Sequence, residues 1–160
     1  MLEHQRMNTT DNLINNADSS TEALKKLRVY FQNLTPANVD EMGEHYADNA
    51  YFRDPFNEVR DVAAIQHIFK DMFVKLHDPR FTITEVIQDT QGAVLIWDFD
   101  FRIKSLKPDL KRRIHGLSHI RFAADGRVNY HRDYWDAAGE LYEHFPLIGA
   151  VLRWLKRRAG

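Results

Sequence analysis

At Arg80 the spacing of apolar residues changes from helical to alternating, and that one switch leaves few folds open to the chain. Before it, Leu24, Leu27, Tyr30, Phe31 and Leu34 recur at the interval that lines one face of an α-helix, and Ile65, Ile68, Phe69, Met72, Phe73 and Leu76 do the same. After it come extended segments: one holding Phe81, Ile83 and Val86, then 94–103, 111–122 and 127–135. Gln91-Gly92, the loop around Leu106-Lys107-Pro108-Asp109 and the hairpin signal Asp125-Gly126 separate them. Helices first and a meander of long antiparallel strands afterwards make an α+β protein. Helices on the concave side of a strongly curved sheet leave a cavity.

Local signals set the boundaries. Ser19 to Glu22 reads as a capping box opening the first helix. Thr35-Pro36 closes it and opens a short second helix with Val39, Met42 and Tyr46 on one face, which Asp48 and Asn49 stop. Residues 50–54 are extended before Pro55. Asp61 caps a third helix, which ends at His77-Asp78-Pro79. Residues 1–18 are polar and read as a mobile arm, 19–136 as the domain, and 137–160 as a C-terminal helical extension interrupted at Pro146. The basic end of that extension, Lys156-Arg157-Arg158, suits the negative end of a helix dipole.

The chain of 160 residues has the size of one domain. Its 22 Lys+Arg against 23 Asp+Glu argue against a nucleic-acid binder, which carries a basic excess. With no cysteine there is no disulfide framework, thiolate zinc site or cysteine nucleophile. No apolar run reaches the roughly 18 residues of a transmembrane helix. The first residues lack the apolar core of a signal peptide, so a cytoplasmic location is expected.

Strand alternation sorts side chains by face. In 94–103, Trp97, Phe99 and Phe101 share one face and Asp98, Asp100 and Arg102 the other. The aromatic side must meet the helices; the charged side meets water or a partner subunit. In 111–122, Ile114, Gly116, Ser118, Ile120 and Phe122 oppose Arg113, His115, Leu117, His119 and Arg121. Ser118 is thus a hydroxyl on an otherwise apolar face, either satisfied by a neighbour or water or kept for a ligand. Segment 127–135 is ambiguous, with Asn129, His131, Asp133 and Trp135 on one side and Val128, Tyr130, Arg132 and Tyr134 on the other. With the first set inward, the cavity gains an imidazole and a carboxylate able to move protons. With it outward, the same residues are charge partners on a solvated face. Tyr30 lies in the first helix's stripe, where a tyrosine buries its ring and satisfies its hydroxyl locally. Asp54 precedes a proline, where an aspartate commonly bonds turn backbone.

The order of elements, together with His45-Tyr46-Ala47-Asp48-Asn49-Ala50-Tyr51-Phe52-Arg53-Asp54-Pro55, resembles the nuclear-transport-factor-2-like superfamily and, within it, the SnoaL-like and ketosteroid-isomerase-like proteins. The resemblance covers about residues 20–136. It implies a cone-shaped, strongly curved antiparallel sheet wrapped around N-terminal helices. The scaffold carries isomerases, dehydratases, cyclases, epoxide hydrolases and non-catalytic binders. Asp54 matches the general base of the ketosteroid isomerases, and Tyr30 matches their oxyanion-hole tyrosine. Where those enzymes place a protonated aspartate as second donor, this chain has Ser118, a weaker acid with a shorter reach. The resemblance also turns Asn129, His131, Asp133 and Trp135 toward the cavity. In related cyclases an acidic residue of this strand acts as acid or base, a role open to Asp133. Related proteins pair through the outer sheet face, which implies a homodimer across Asp98, Asp100, Arg102, Arg113, His115 and His119.

Three function classes follow. In an enzyme of the proton-transfer isomerase or lyase type, a small apolar or carbonyl-containing substrate enters the cone. Asp54, or the Asp133–His131 pair, takes a proton or activates water, and Tyr30 and Ser118 donate to the developing oxyanion. Trp97, Phe99, Phe101, Ile120, Asn129 and Trp135 line the substrate. In a non-catalytic binder the same polar groups fix orientation alone. In a dimeric accessory module the cone serves assembly. Metal and cofactor are not expected. Of the eight histidines, His115 and His119 share a strand face. At four residues apart they stand roughly 13 Å from each other, too far for one ion with bonds of about 2 Å.

Overall fold

The computed structural model describes residues 20–140 and 157–158. The expected arm, the Ser19 cap and most of the C-terminal extension lie outside the described residues. Residues 20–32 are helical (α1) and bury Leu24, Leu27, Tyr30 and Phe31 on one face. Beyond α1 the turn is held by Asn38, whose Oδ1 accepts from the Thr35 amide at 2.7 Å.

The expected second helix is only a 3-10 turn, Val39–Glu41, and one turn of α-helix, α2 (Met42–His45). Tyr46 starts a strand instead, β1 (Tyr46–Arg53). β1 pairs in parallel with β6 (Val128–Trp135) and antiparallel with β2 (Glu58–Arg60). Non-local pairing thus overrides the local helical spacing. A register shift between Tyr46 and Tyr51 buries Tyr46, Ala47, Ala50 and Phe52 while Asp48 and Asn49 stay exposed.

α3 (Val62–Lys75) is capped as expected: the Asp61 carboxylate accepts from the Ala64 amide at 2.7 Å. The helix stops at Lys75, and β3 (Leu76–Gln88) absorbs the His77-Asp78-Pro79 segment. The proline is tolerated because β3 is an edge strand and its register breaks between His77 and Arg80.

With β4 (Ala93–Ile103) and β5 (Arg112–Phe122) the sheet has six strands in the order β2-β1-β6-β5-β4-β3. β3 to β6 form the antiparallel meander. The open sheet curves as a cone over the helices. Along β4 every second residue from Ala93 to Phe101 is buried, and along β5 every second residue from Arg112 to Ile120. Leu24, Leu27 and Phe31 of α1 and Ile65 and Phe69 of α3 close the core against this face. On the convex face Arg113 grips Asp100 with two bonds of 2.7 and 2.8 Å, and His115 Nδ1 lies 2.8 Å from Asp98. Among the described residues no helix is long and apolar enough to cross a membrane.

Candidate active site

Between α3 and the concave face of β4, β5 and β6 lies a cavity of about 510 Å³, a volume typical of small-molecule sites. Its wall is aromatic. Phe99 stacks on Phe81 at 4.4 Å and on Phe101 at 5.0 Å, and Trp97 meets Phe81 edge-on at 5.7 Å. Trp97 can lie flat because Gly116 faces it across the ladder: a Cβ there would stand 2.4 Å from the indole.

A chain of hydrogen bonds runs behind this wall. Trp97 Nε1 donates to Ser118 Oγ at 2.8 Å, and Ser118 donates to Asp133 Oδ1 at 2.5 Å. His131 Nε2 lies 2.7 Å from the same oxygen, and His131 Nδ1 lies 2.5 Å from the Tyr46 hydroxyl. Ser118 and Asp133 are direct cross-strand partners, and Phe52, the β1 partner of His131, packs edge-on to the imidazole at 5.0 Å. A carboxylate oxygen accepts only, so Nε2 carries the imidazole proton and Nδ1 accepts from Tyr46. Burial, reinforced by the Asp133 charge, pushes the Tyr46 hydroxyl well above the ordinary phenol range, so it keeps its proton. The His131 side chain is 3% exposed and that of Asp133 is 15%. Asp133 is therefore where the chain of bonds meets the cavity, which it lines. Among the described residues no hydrogen bond engages its Oδ2.

A model of the SnoaL-like domain matches residues 27–131. The chain belongs to the SnoaL-like family. Solved structures carry the same fold. A hypothetical protein of Catenulispora acidiphila with a ketosteroid-isomerase-like fold, determined in complex with trimethylamine, superposes with a TM-score of 0.64 at 12% identity, covering 75% of this chain and 89% of its own. An LEH-like epoxide hydrolase of M. tuberculosis gives 0.62 at 16%, covering 87% and 97%. A putative SnoaL-like polyketide cyclase from Jannaschia gives 0.64 at 12%, covering 76% and 88%. No curated protein matches the chain.

In this SnoaL-like cone Trp97, Phe99, Phe101, Trp135, Asp133 and Asp54 all border the cavity. Ser118 and His131 sit behind it, around a recess of about 20 Å³ that Trp97 and Asp133 also border. Four expected placements are corrected. Tyr30 does not face the cavity: its hydroxyl donates to Asn38 O at 3.1 Å and its ring stacks on His45 at 4.3 Å, tying α1 to the 3-10 turn. Asp54 does not look across at Tyr30: its Oδ1 accepts from the amides of Phe56 at 2.7 Å and Asn57 at 2.6 Å, and Asn57 Nδ2 lies 2.9 Å from Oδ2. Asn129 is exposed, because a register shift after Arg121 rotates the start of β6, and it borders a depression shared with Tyr51 and Tyr130. Ile120 is fully buried in the core and borders neither the cavity nor the recess. Tyr46 was missed, because its helical spacing with Val39 and Met42 hid the parallel pairing that brings it to His131. Among the described residues no group of three or more His, Asp or Glu is placed to hold a metal ion.

The loop role of Asp54 gives an expected result for this SnoaL-like protein. Asp54→Ala should cost about 1–2 kcal/mol by urea unfolding, through the lost bonds to two amides. Any turnover should change by less than about twofold, far below the 10²-fold scale of a lost general base.

Proposed function

We propose that this SnoaL-like protein is an acid–base enzyme of the isomerase, lyase or cyclase type, acting on a small, largely apolar molecule, with Asp133 taking up and returning the proton. One observation carries the reading: Oδ1 of Asp133 is held by Ser118 and His131 while the carboxylate borders an aromatic cavity. The two bonds fix the carboxylate at the edge of the aromatic cavity, within reach of a ligand's proton. His131 and Tyr46 orient the carboxylate from behind. Tyr30 and the Ser118 proton are both engaged elsewhere, so the proposed chemistry leans on proton transfer and not on a ready oxyanion hole. The similar epoxide hydrolase and cyclase scaffolds agree with a cone used for such chemistry.

The test is native mass spectrometry of what co-purifies, followed by turnover of that molecule and of a panel of small epoxides and enolisable ketones. Turnover that Asp133→Asn removes, with binding kept, supports the proposal. Equal turnover in the variant overturns it, and binding without turnover in the natural protein makes it a carrier.

We also propose a homodimer through the convex face, whose ladder of Asp98, Asp100, Arg113 and His115 carries both signs. Light scattering at micromolar concentration should give twice the 18.8 kDa of one chain. A mass of one chain removes the pairing.

A further inference from the structure

Proton transfer beside a carbonyl calls for a second group. As the proton leaves carbon, charge develops on the carbonyl oxygen, and a donor aimed there lowers the barrier. Tyr30 and Ser118 are committed elsewhere, to Asn38 O and to Asp133. The polar groups bordering the cavity leave few candidates. Asp54 and Asn57 bond each other, and Asp71 is paired with Lys75 at 3.2 Å. His67 and Ser105 also border the cavity, and among the described residues no hydrogen bond or ion pair engages either. Their places in the fold differ. α3 leaves β2 at one edge of the sheet and ends at β3 at the other. Phe69, two residues after His67, packs on Phe52 of β1 at 5.9 Å, and Phe52 packs on His131. Phe69 also borders the recess with Asp133. This half of α3 therefore lies on the side of the proton-handling group. Lys75 closes the other half, eight residues on and roughly 12 Å along the helix axis. There Leu76 pairs with Ile103, and Ser105 follows shortly after. His67 is exposed and borders the cavity, so it stands on the rim.

The geometry points to His67 as a further catalytic residue, whose imidazole N–H holds the carbonyl oxygen of an enolisable ketone while Asp133 takes the proton from the neighbouring carbon. The inference deepens the function proposed above and rests on it for Asp133 as the base; the place of His67 at the oxygen stands apart from that role. An imidazole suits the task because it carries at least one N–H donor whether neutral or charged. In the step, the C–H pair becomes a C=C bond, the C=O pair moves onto oxygen, and the proton rests on Asp133. Return of the proton to carbon restores the ketone. In heavy water Asp133 exchanges that proton with solvent, so the ketone gains deuterium.

The experiment adds acetophenone, isotope-labelled at its carbonyl carbon, to the full chain in heavy water. Infrared difference spectroscopy of the carbonyl stretch reports the donor, and deuterium entering the methyl group, followed by NMR, reports the base. In the natural protein the bound carbonyl should absorb below its frequency in hexane. In His67→Phe it should move up toward the hexane value. His67→Gln, whose amide also donates, should keep part of the shift, and Ser105→Ala all of it. Deuterium entry should slow by roughly 10²-fold in His67→Phe, the scale of one lost oxyanion donor. A carbonyl unmoved in His67→Phe, or moved as far in Ser105→Ala, overturns the inference. No bound carbonyl signal at millimolar ketone overturns it equally. His67 is an exposed helical residue, so both variants should fold with Tm within about 2 °C of the natural protein. A fall of more than about 5 °C would mark His67 as structural and overturn the assignment. Exchange lost in Asp133→Asn with the carbonyl unmoved in His67→Phe leaves the proposed function standing without His67. A carbonyl moved in His67→Phe with exchange unchanged in Asp133→Asn keeps His67 at the oxygen and removes the proposed base.

Discussion

Asp133→Asn is expected to lower turnover by roughly 10²-fold or more, the scale of a lost general base, while ligand affinity changes little. Asparagine keeps the shape and keeps an oxygen to accept from Ser118 and from His131 Nε2, now at 2.5 and 2.7 Å. What it removes is the capacity to take a proton. Two comparisons make the result specific. His131→Gln should fall less steeply, because His131 stands behind the carboxylate and borders the recess, not the cavity. Tyr46→Phe should leave His131 Nδ1 without its donor, giving a loss of stability of about 1–3 kcal/mol with a smaller loss of rate. A fall as large in Asp54→Ala as in Asp133→Asn would return the base to the loop and remove the assignment.

Gly116→Ala is expected to destabilise the protein by about 2–4 kcal/mol, overpacking and a broken hydrogen bond together. The new Cβ would stand 2.4, 2.8 and 2.9 Å from three carbons of the Trp97 indole, a rigid ring with no flexible end to swing aside. Either β4 and β5 move apart or the indole leaves, and then Ser118 loses its donor. Denaturant unfolding measures the loss, and the fluorescence of Trp97 should shift as its surroundings change. A second substitution, Trp97→Leu, should recover part of the stability lost in Gly116→Ala, because the two residues share one contact and their effects cannot add. Additive losses would mean that the strain lies elsewhere.

Where local pattern and long-range pairing agree, the sequence was a good guide. Alternation alone places Trp97, Phe99 and Phe101 inward and Asp98 and Asp100 outward, because β4 lies within the sheet and pairs on both edges. The same logic finds Ser118, and the family resemblance turns His131 and Asp133 toward it. The failures have a common cause. Tyr46, Asp54 and Asn129 lie where a strand begins, ends or shifts register, and there no repeating pattern dictates which way a side chain points. Asp54 folds onto its own loop amides. Tyr30 is at home in the helical stripe, but whether its hydroxyl meets a ligand or a carbonyl depends on a turn eight residues later.

The parallel pairing of β1 with β6 has a consequence for the order of events during folding. Tyr46 and His131 are 85 residues apart in sequence, yet their hydrogen bond joins the first strand of the described residues, β1, to the last, β6. The intervening hairpins can form from near neighbours, whereas this pairing must wait for a long loop to close, which is slow and entropically costly. On a chain still being synthesised, one edge of β1 stays unpaired until the strand carrying Asp133 has emerged. A shortened chain lacking that strand has neither the carboxylate nor the imidazole of the proton-handling group, so gain of activity and completion of the sheet should rise with a single rate constant.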